Sequence, residues 1–226
     1  MTLIERDTRL CDIILADPSV VTVLERFGIT MGVGDNTVAQ ACDKQGVDSE
    51  FVCTILNTYA NPDFFPDIAI DHRHASAVVA YLRQTNAHYA HFLLPNIERH
   101  FRLLLTHSEP GNTSLPLLMQ FFGEVKEELT NRISDDETRW FPSIEKLVAK
   151  PSPTRESVEI AEEDTIETKL GDLVNMIVMH LSGSYDHNLA LAVLTACMSL
   201  KKDIVQNNRI RYRLLHPISE ALAANK

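Results

Sequence analysis

"VQNNRIRYRLLHP", Val205–Pro217, puts polar residues into a helical pattern without ending it. Read backward at three- and four-residue spacing, the stripe passes Ile204, Lys201, Cys197 and Leu194. Read forward, it passes Asn207, Arg211, Leu214 and Ile218. The inner face of an amphipathic helix thus carries an amide and a guanidinium where aliphatic side chains are expected. The spacing continues on both sides, so the stretch reads as helix, and the open question is what those polar groups meet.

Three other long segments share this periodicity. Residues 72–107 carry Val78, Leu82, Tyr89, Leu93, Ile97 and Leu104 in their stripe, and residues 114–147 carry Leu118, Phe122, Val125, Leu129 and Trp140. Residues 156–182 carry Ile166, Leu170, Leu173 and Ile177, and the opening segment covers 186–222. "SEPGNTS", "AKPSPTRES" and "SGSYDH" separate them, all rich in turn formers. With no period-two alternation anywhere, the chain is expected to be all-α, with a four-helix bundle over residues 67–226.

Residues 1–66 read differently, as short punctuated helices forming a small N-terminal domain. In "ADPSVVTVLERFG", Asp17 is expected at an N-cap, Pro18 at the first helical position and Gly28 past the end. "GDNTVAQACDKQG" offers Asp35 or Asn36 as a cap and closes at Gly46, and Asp48 caps "SEFVCTILNTY". "NPDFFP" (Asn61–Pro66) reads as a linker or docking turn. "MGVGDN" lacks the lysine and the spacing of a phosphate loop.

A hydrophobic content of 45% is enough for a substantial core, and the formal net charge of −10 argues against unaided nucleic-acid binding. No apolar run reaches about 18 residues, and no basic start precedes an apolar stretch, so a cytoplasmic protein that does not enter the membrane is expected. Cys11, Cys42, Cys53 and Cys197 are far apart among apolar neighbours and read as buried free thiols.

The other stripes are interrupted as well: by Asn86 on the first long segment, by Arg132 and Asp136 on the second, and by Glu163 just ahead of Ile166 on the third. Ionisable groups are rarely buried alone, because desolvation costs several kcal/mol unless they are paired. A shared polar cluster is therefore expected. In helical bundles such clusters hold di-metal sites, but ligation needs carboxylate or neutral imidazole lone pairs, which amides and guanidinium groups do not supply.

At these residues the chain resembles the hemerythrin-like iron-sulfur-cluster repair proteins, the repair-of-iron-centres family. "RFGITMGVGDNTVAQACDKQGVD" is similar to the family's N-terminal signature, although Met31-Gly32-Val33-Gly34 stands where a cysteine pair often precedes the glycines. "YLRQTNAHY" with "LPNI", "RISDDETRWFP", "IETKLGDL" and "NNRIRYRLLHP" resemble the four ligand helices. The resemblance implies a small helical domain followed by a bundle holding two irons. By position, it places Asn86 at the first ligand histidine, His107 at the second, and Arg132 with Asp136 at a histidine–carboxylate pair. Glu163 or Asp164 falls near a third-helix histidine, and Asn207 with Arg211 at the last pair.

His107, Asp136 and Glu163 are thus the residual metal candidates, and Asn86, Arg132, Asn207 and Arg211 are degenerate ligand positions. A salt-bridge network is expected in place of the metals, with Arg132 and Arg211 beside Asp136 and Glu163.

His88 and His91 point away from Asn86's face, and His72 and His74 on the same helix read as surface. Arg209 and Arg213 fall off the stripe and read as a solvated basic face able to meet an acidic partner. No histidine–acid arrangement can be placed beside the serines of "SEPGNTS", so binding rather than catalysis is expected. The expected function is a binding or sensory module with no cofactor, acting on a protein partner or small ligand, with a homodimer left open. The alternative is a stress-response di-iron protein donating iron to damaged clusters.

Overall fold

The structure, a computed structural model, describes residues 3–66, 72–109, 111–149 and 165–224. The regular elements among these residues are all helices, and the only extended pairing among them is an isolated bridge between Arg9 and Thr37. The helices are α1 (Leu10–Ala16), α2 (Val20–Arg26), α3 (Val38–Gln45), α4 (Ser49–Ala60), α5 (His72–His88), α6 (Leu94–Thr106), α7 (Ser114–Asp135), α8 (Phe141–Ala149), α9 (Ile166–His180), α10 (His187–Ile210) and α11 (His216–Ala224). No helix among the described residues is long and apolar enough to cross a membrane.

Three joints between consecutive helices are single π-helical turns: Tyr89–Leu93, Asp136–Trp140 and Arg211–Leu215. In each, the residue just before a proline donates its N–H five residues back: Leu94 to Tyr89, Phe141 to Asp136 and His216 to Arg211. Pro95, Pro142 and Pro217 explain the recurrence. In an α-helical register each ring would press on the carbonyl four residues earlier, and a widened turn opens that space. The widened turn also advances the buried stripe by one position. Leu93, expected inside, is only half-buried, and Leu94 is buried in its place.

The chain divides into two compact units. The first draws on Met1–Gln84, Ser143–Val158 and Gln206–Lys226, and the second on Thr85–Pro142 and Glu159–Val205. The first unit therefore reaches beyond residues 1–66. Tyr81 of α5 stacks on Phe27 at 5.4 Å between ring centroids, and Arg83 pairs with Glu145 of α8 through Nη2 and Oε2 at 3.1 Å.

In the first unit, Thr37 and Gln40 form a capping box at the start of α3, Gly46 (φ 67°) ends that helix, and Asp48 caps α4. Two expected caps are displaced. Ser19 precedes α2, with Asp17 Oδ1 accepting from the Ser19 amide at 3.0 Å, so Pro18 lies in a turn before the helix. Thr37 rather than Asp35 or Asn36 caps α3, because the Asn36 side chain is turned to the Val33 carbonyl at 2.5 Å.

Arg209 and Arg213 differ from the solvated face expected of them. Arg209 donates to the Tyr59 carbonyl at 3.0 Å. Arg213 donates to the carbonyls of Pro62 at 2.7 Å and Phe64 at 2.8 Å, and lies 4.2 Å from the Phe65 ring centroid. Carbonyls at a helix end and in a turn need donors, and Arg209 supplies one at the end of α4 while Arg213 supplies the "NPDFFP" turn.

In the second unit the stripes of α6, α7, α9 and α10 converge on one apolar cluster, with Phe101, Phe122, Leu129, Leu170 and Leu200 all at most 1% exposed. The glycine-bearing connections pair with each other: the Asn112 amide donates to the Ser182 carbonyl at 2.7 Å, and the Glu109 amide to the Ser184 carbonyl at 3.2 Å.

The cysteines are free, with Cys42, Cys53 and Cys197 buried and Cys11 half-buried. Burial pushes the thiols of Cys42 and Cys53 up to about 11 and that of Cys197 up to about 12. In the unfolded chain these thiols ionise near their ordinary value of 9.0, so the fold binds their protons more tightly. The stabilisation is complete below that pH and is lost as pH rises through the folded values. At pH 8 a thiol reagent should therefore modify Cys11 first and reach the other three only at the rate of unfolding. Chemical denaturation should show stability falling above pH 9. Rapid labelling of all four thiols in the folded protein would contradict this burial.

Candidate functional site

The marked positions on α5 and α7 come together in the second unit. Asn86 is 3% exposed, Asp136 is 0% exposed and Arg132 is 8% exposed. The Asn86 Nδ2 donates to Asp136 Oδ2 at 3.1 Å and to Glu137 Oε1 at 3.3 Å, so one amide bridges two adjacent carboxylates. Arg132 precedes Asp136 by one turn, which puts both on the same face of the helix. Asp136 opens a π turn, and its own carbonyl accepts the N–H that Pro142 forces back from Phe141.

Asn207 and Arg211 belong to the first unit and are 1% and 4% exposed. Asn207 Oδ1 accepts from the Tyr81 hydroxyl at 3.0 Å and from Arg26 Nη1 at 3.3 Å, and Arg26 Nη1 also donates to Tyr81 Oη at 2.9 Å. The guanidinium carbon of Arg26 lies 5.6 Å from the Tyr81 ring centroid. Nothing in the helical spacing singles out Arg26 or Tyr81, since α2, α5 and α10 meet there only through the fold. Tyr81 follows the buried Val78 at three-residue spacing, and that was the only available signal.

His107 is exposed and caps α6, with Nδ1 donating to the Leu103 carbonyl at 2.9 Å. Glu163 lies outside the described residues. In the second unit the partner of the third long segment is instead Glu128 of α7. Its carboxylate accepts from the Thr165 amide at 2.7 Å and from Lys169 Nζ at 2.6 Å, anchoring the start of α9. Burial alone would raise the Glu128 carboxyl, but Lys169 and Thr165 outweigh it and hold it below the ordinary carboxylate range. His88 is half-buried and packs its ring on Phe92 at 5.8 Å, and His91 is exposed.

The chemistry of this donor set does not fit a di-iron centre. Asn86 points its amide N–H at Asp136, where a ligand would present a lone pair. The guanidinium groups of Arg132 and Arg211 offer no lone pair to a metal, and Asn207 offers an amide oxygen already taken up by Tyr81 and Arg26. Among the described residues, no group of three or more histidine, cysteine, aspartate and glutamate side chains could hold a metal ion. Comparison of the chain with protein-family profiles, with curated proteins and with solved structures returned no match.

Proposed function

We infer that this chain is a binding or sensory module built on a hemerythrin-like four-helix bundle in which hydrogen-bonded polar groups stand where ligand helices would hold two irons. The observation that carries the reading is the Asn86–Asp136 bond at 3.1 Å, with the carboxylate fully buried. A carboxylate removed from water needs hydrogen-bond donors, and the Asn86 amide supplies one to Asp136. The convergence of four apolar stripes on one cluster supports the bundle assignment. The similarity of "RISDDETRWFP" and "NNRIRYRLLHP" to ligand helices supports the ancestry. Such a module acts through a protein partner or a small ligand in the cytoplasm.

Anaerobic loading with ferrous iron, followed by metal analysis and visible spectroscopy, tests this. Protein from iron-replete cells should carry no stoichiometric iron and show no carboxylate-bridged di-iron absorption. Stoichiometric iron that disappears in Asp136→Ala and His107→Ala would overturn the reading in favour of a stress-response iron donor.

A further inference from the structure

The first unit contains a cavity of ≈ 770 Å³ lined by residues of α4, α5 and the end of α2. That volume lies within the roughly 300–1,000 Å³ typical of small-molecule sites. Ala77 and Ala80 line it from α5, three residues apart and therefore on one side of the helix. Ala80 is exposed and Ala77 half-buried, so neither short side chain closes the space beside it. Phe27 and Phe51 line it as well, meeting edge-on at 6.0 Å, and Tyr81 holds Phe27 in a stack at 5.4 Å between centroids. Rings braced in this way present a fixed apolar surface, and the alanines leave room for one more ring.

The charged side chains of the lining are already engaged within the protein. Arg26 Nη1 donates to the Tyr81 hydroxyl at 2.9 Å and to Asn207 Oδ1 at 3.3 Å. Asp48 Oδ1 caps α4 by accepting the Glu50 and Phe51 amides at 2.8 and 3.2 Å, and Glu50 faces Arg6 at 3.6 Å. His74, the remaining titratable group of the lining, stacks on Phe51 at 6.4 Å. An entering ion would give up water and meet a like charge, Arg26 for a cation and Asp48 with Glu50 for an anion. An uncharged ring incurs neither cost. Gln84 adds an exposed neutral amide at the rim, able to donate to or accept from a single hydroxyl or carbonyl substituent.

We propose that this cavity binds a small uncharged fused-ring aromatic molecule, its ring lying against Ala77, Ala80, Phe27 and Phe51. No bond between the ligand and Arg26 is part of the proposal. The residues differ from those of the Asn86–Asp136 site, so the outcome here is independent of whether iron binds there.

Isothermal titration calorimetry on the full chain at pH 7 tests it with three probes sharing one ring: 2-naphthalenemethanol (neutral), 2-naphthoate (anionic) and 2-naphthylmethylamine (cationic). The alcohol should bind saturably and about tenfold or more tighter than either ion, since each ion loses hydration without gaining an uncommitted counter-ion. Ala80→Phe, at an exposed position, should fill the cavity and abolish binding of the alcohol while keeping a cooperative thermal transition. Ala77→Phe should do the same from one turn away, so that two independent variants report on the site. An ion that binds as tightly as the alcohol would overturn the proposal. So would no binding of the alcohol at millimolar concentration, or unchanged binding in either folded variant.

Discussion

Asn86→Leu should lower the free energy of unfolding by about 2–3 kcal/mol, the range for a hydrogen bond to a charged group whose loss leaves that group buried. The Asp136 carboxylate is 0% exposed and cannot turn to water for a replacement donor. Asp136→Leu alone should also destabilise, because it removes one of the two carboxylates that the buried Asn86 amide bridges. The double variant should cost less than the sum of the two single changes, with a coupling of roughly 1–2 kcal/mol between contacting residues. Urea unfolding of the four proteins closes the cycle. Strict additivity, or a stable Asn86→Leu, would mean that this amide does not support the buried carboxylate, and the proposed substitute for a metal would lose its basis.

Phe122→Ala should cost about 3–5 kcal/mol, the usual range for emptying a buried aromatic position. Phe122 is 1% exposed, belongs to the cluster shared by α6, α7, α9 and α10, and stacks on Phe101 at 5.3 Å. The thermal midpoint should fall by on the order of 10 °C for a chain of this size. Phe92, 66% exposed, is the control, and its alanine variant should change stability by less than about 0.5 kcal/mol. Equal losses at the two positions would show that the cluster is not the stabilising core of the second unit.

Helix spacing carried much of this reading, and the residues show where it stopped. Leu118, Phe122, Val125 and Leu129 on α7, and Ile166, Leu170, Leu173 and Ile177 on α9, were legible as a buried stripe and are buried. Period and burial agree there because a straight helix repeats its inner face regularly. The agreement slips by one residue at Leu93 and Leu94, where the Tyr89–Leu93 turn holds an extra residue. Pro95, Pro142 and Pro217 were visible in the sequence. Each follows the first residue of a widened turn, Tyr89, Asp136 or Arg211, at the same spacing.

The candidate site was legible in kind and less so in pairing. Burial of Asn86, Arg132, Asp136, Asn207 and Arg211 followed from their place on the stripes. The expected arginine-to-carboxylate network did not foresee the amide of Asn86 on Asp136, or Arg26 and Tyr81 on Asn207. Asn207 and Tyr81 are 126 positions apart, and no local periodicity relates two such residues.

By itself, then, the sequence determined that the chain is helical, where many of its helices stop, and which polar side chains turn inward. Each of these follows from interactions within a few residues: hydrogen bonds to the next turn, caps, and one face withdrawn from water. Only the tertiary structure decided that Arg209 serves a carbonyl at the end of α4 and Arg213 those of the turn after it, and that Glu128 anchors α9. A donor must find whichever acceptor the fold brings within about 3 Å, and that choice is made by how the helices pack.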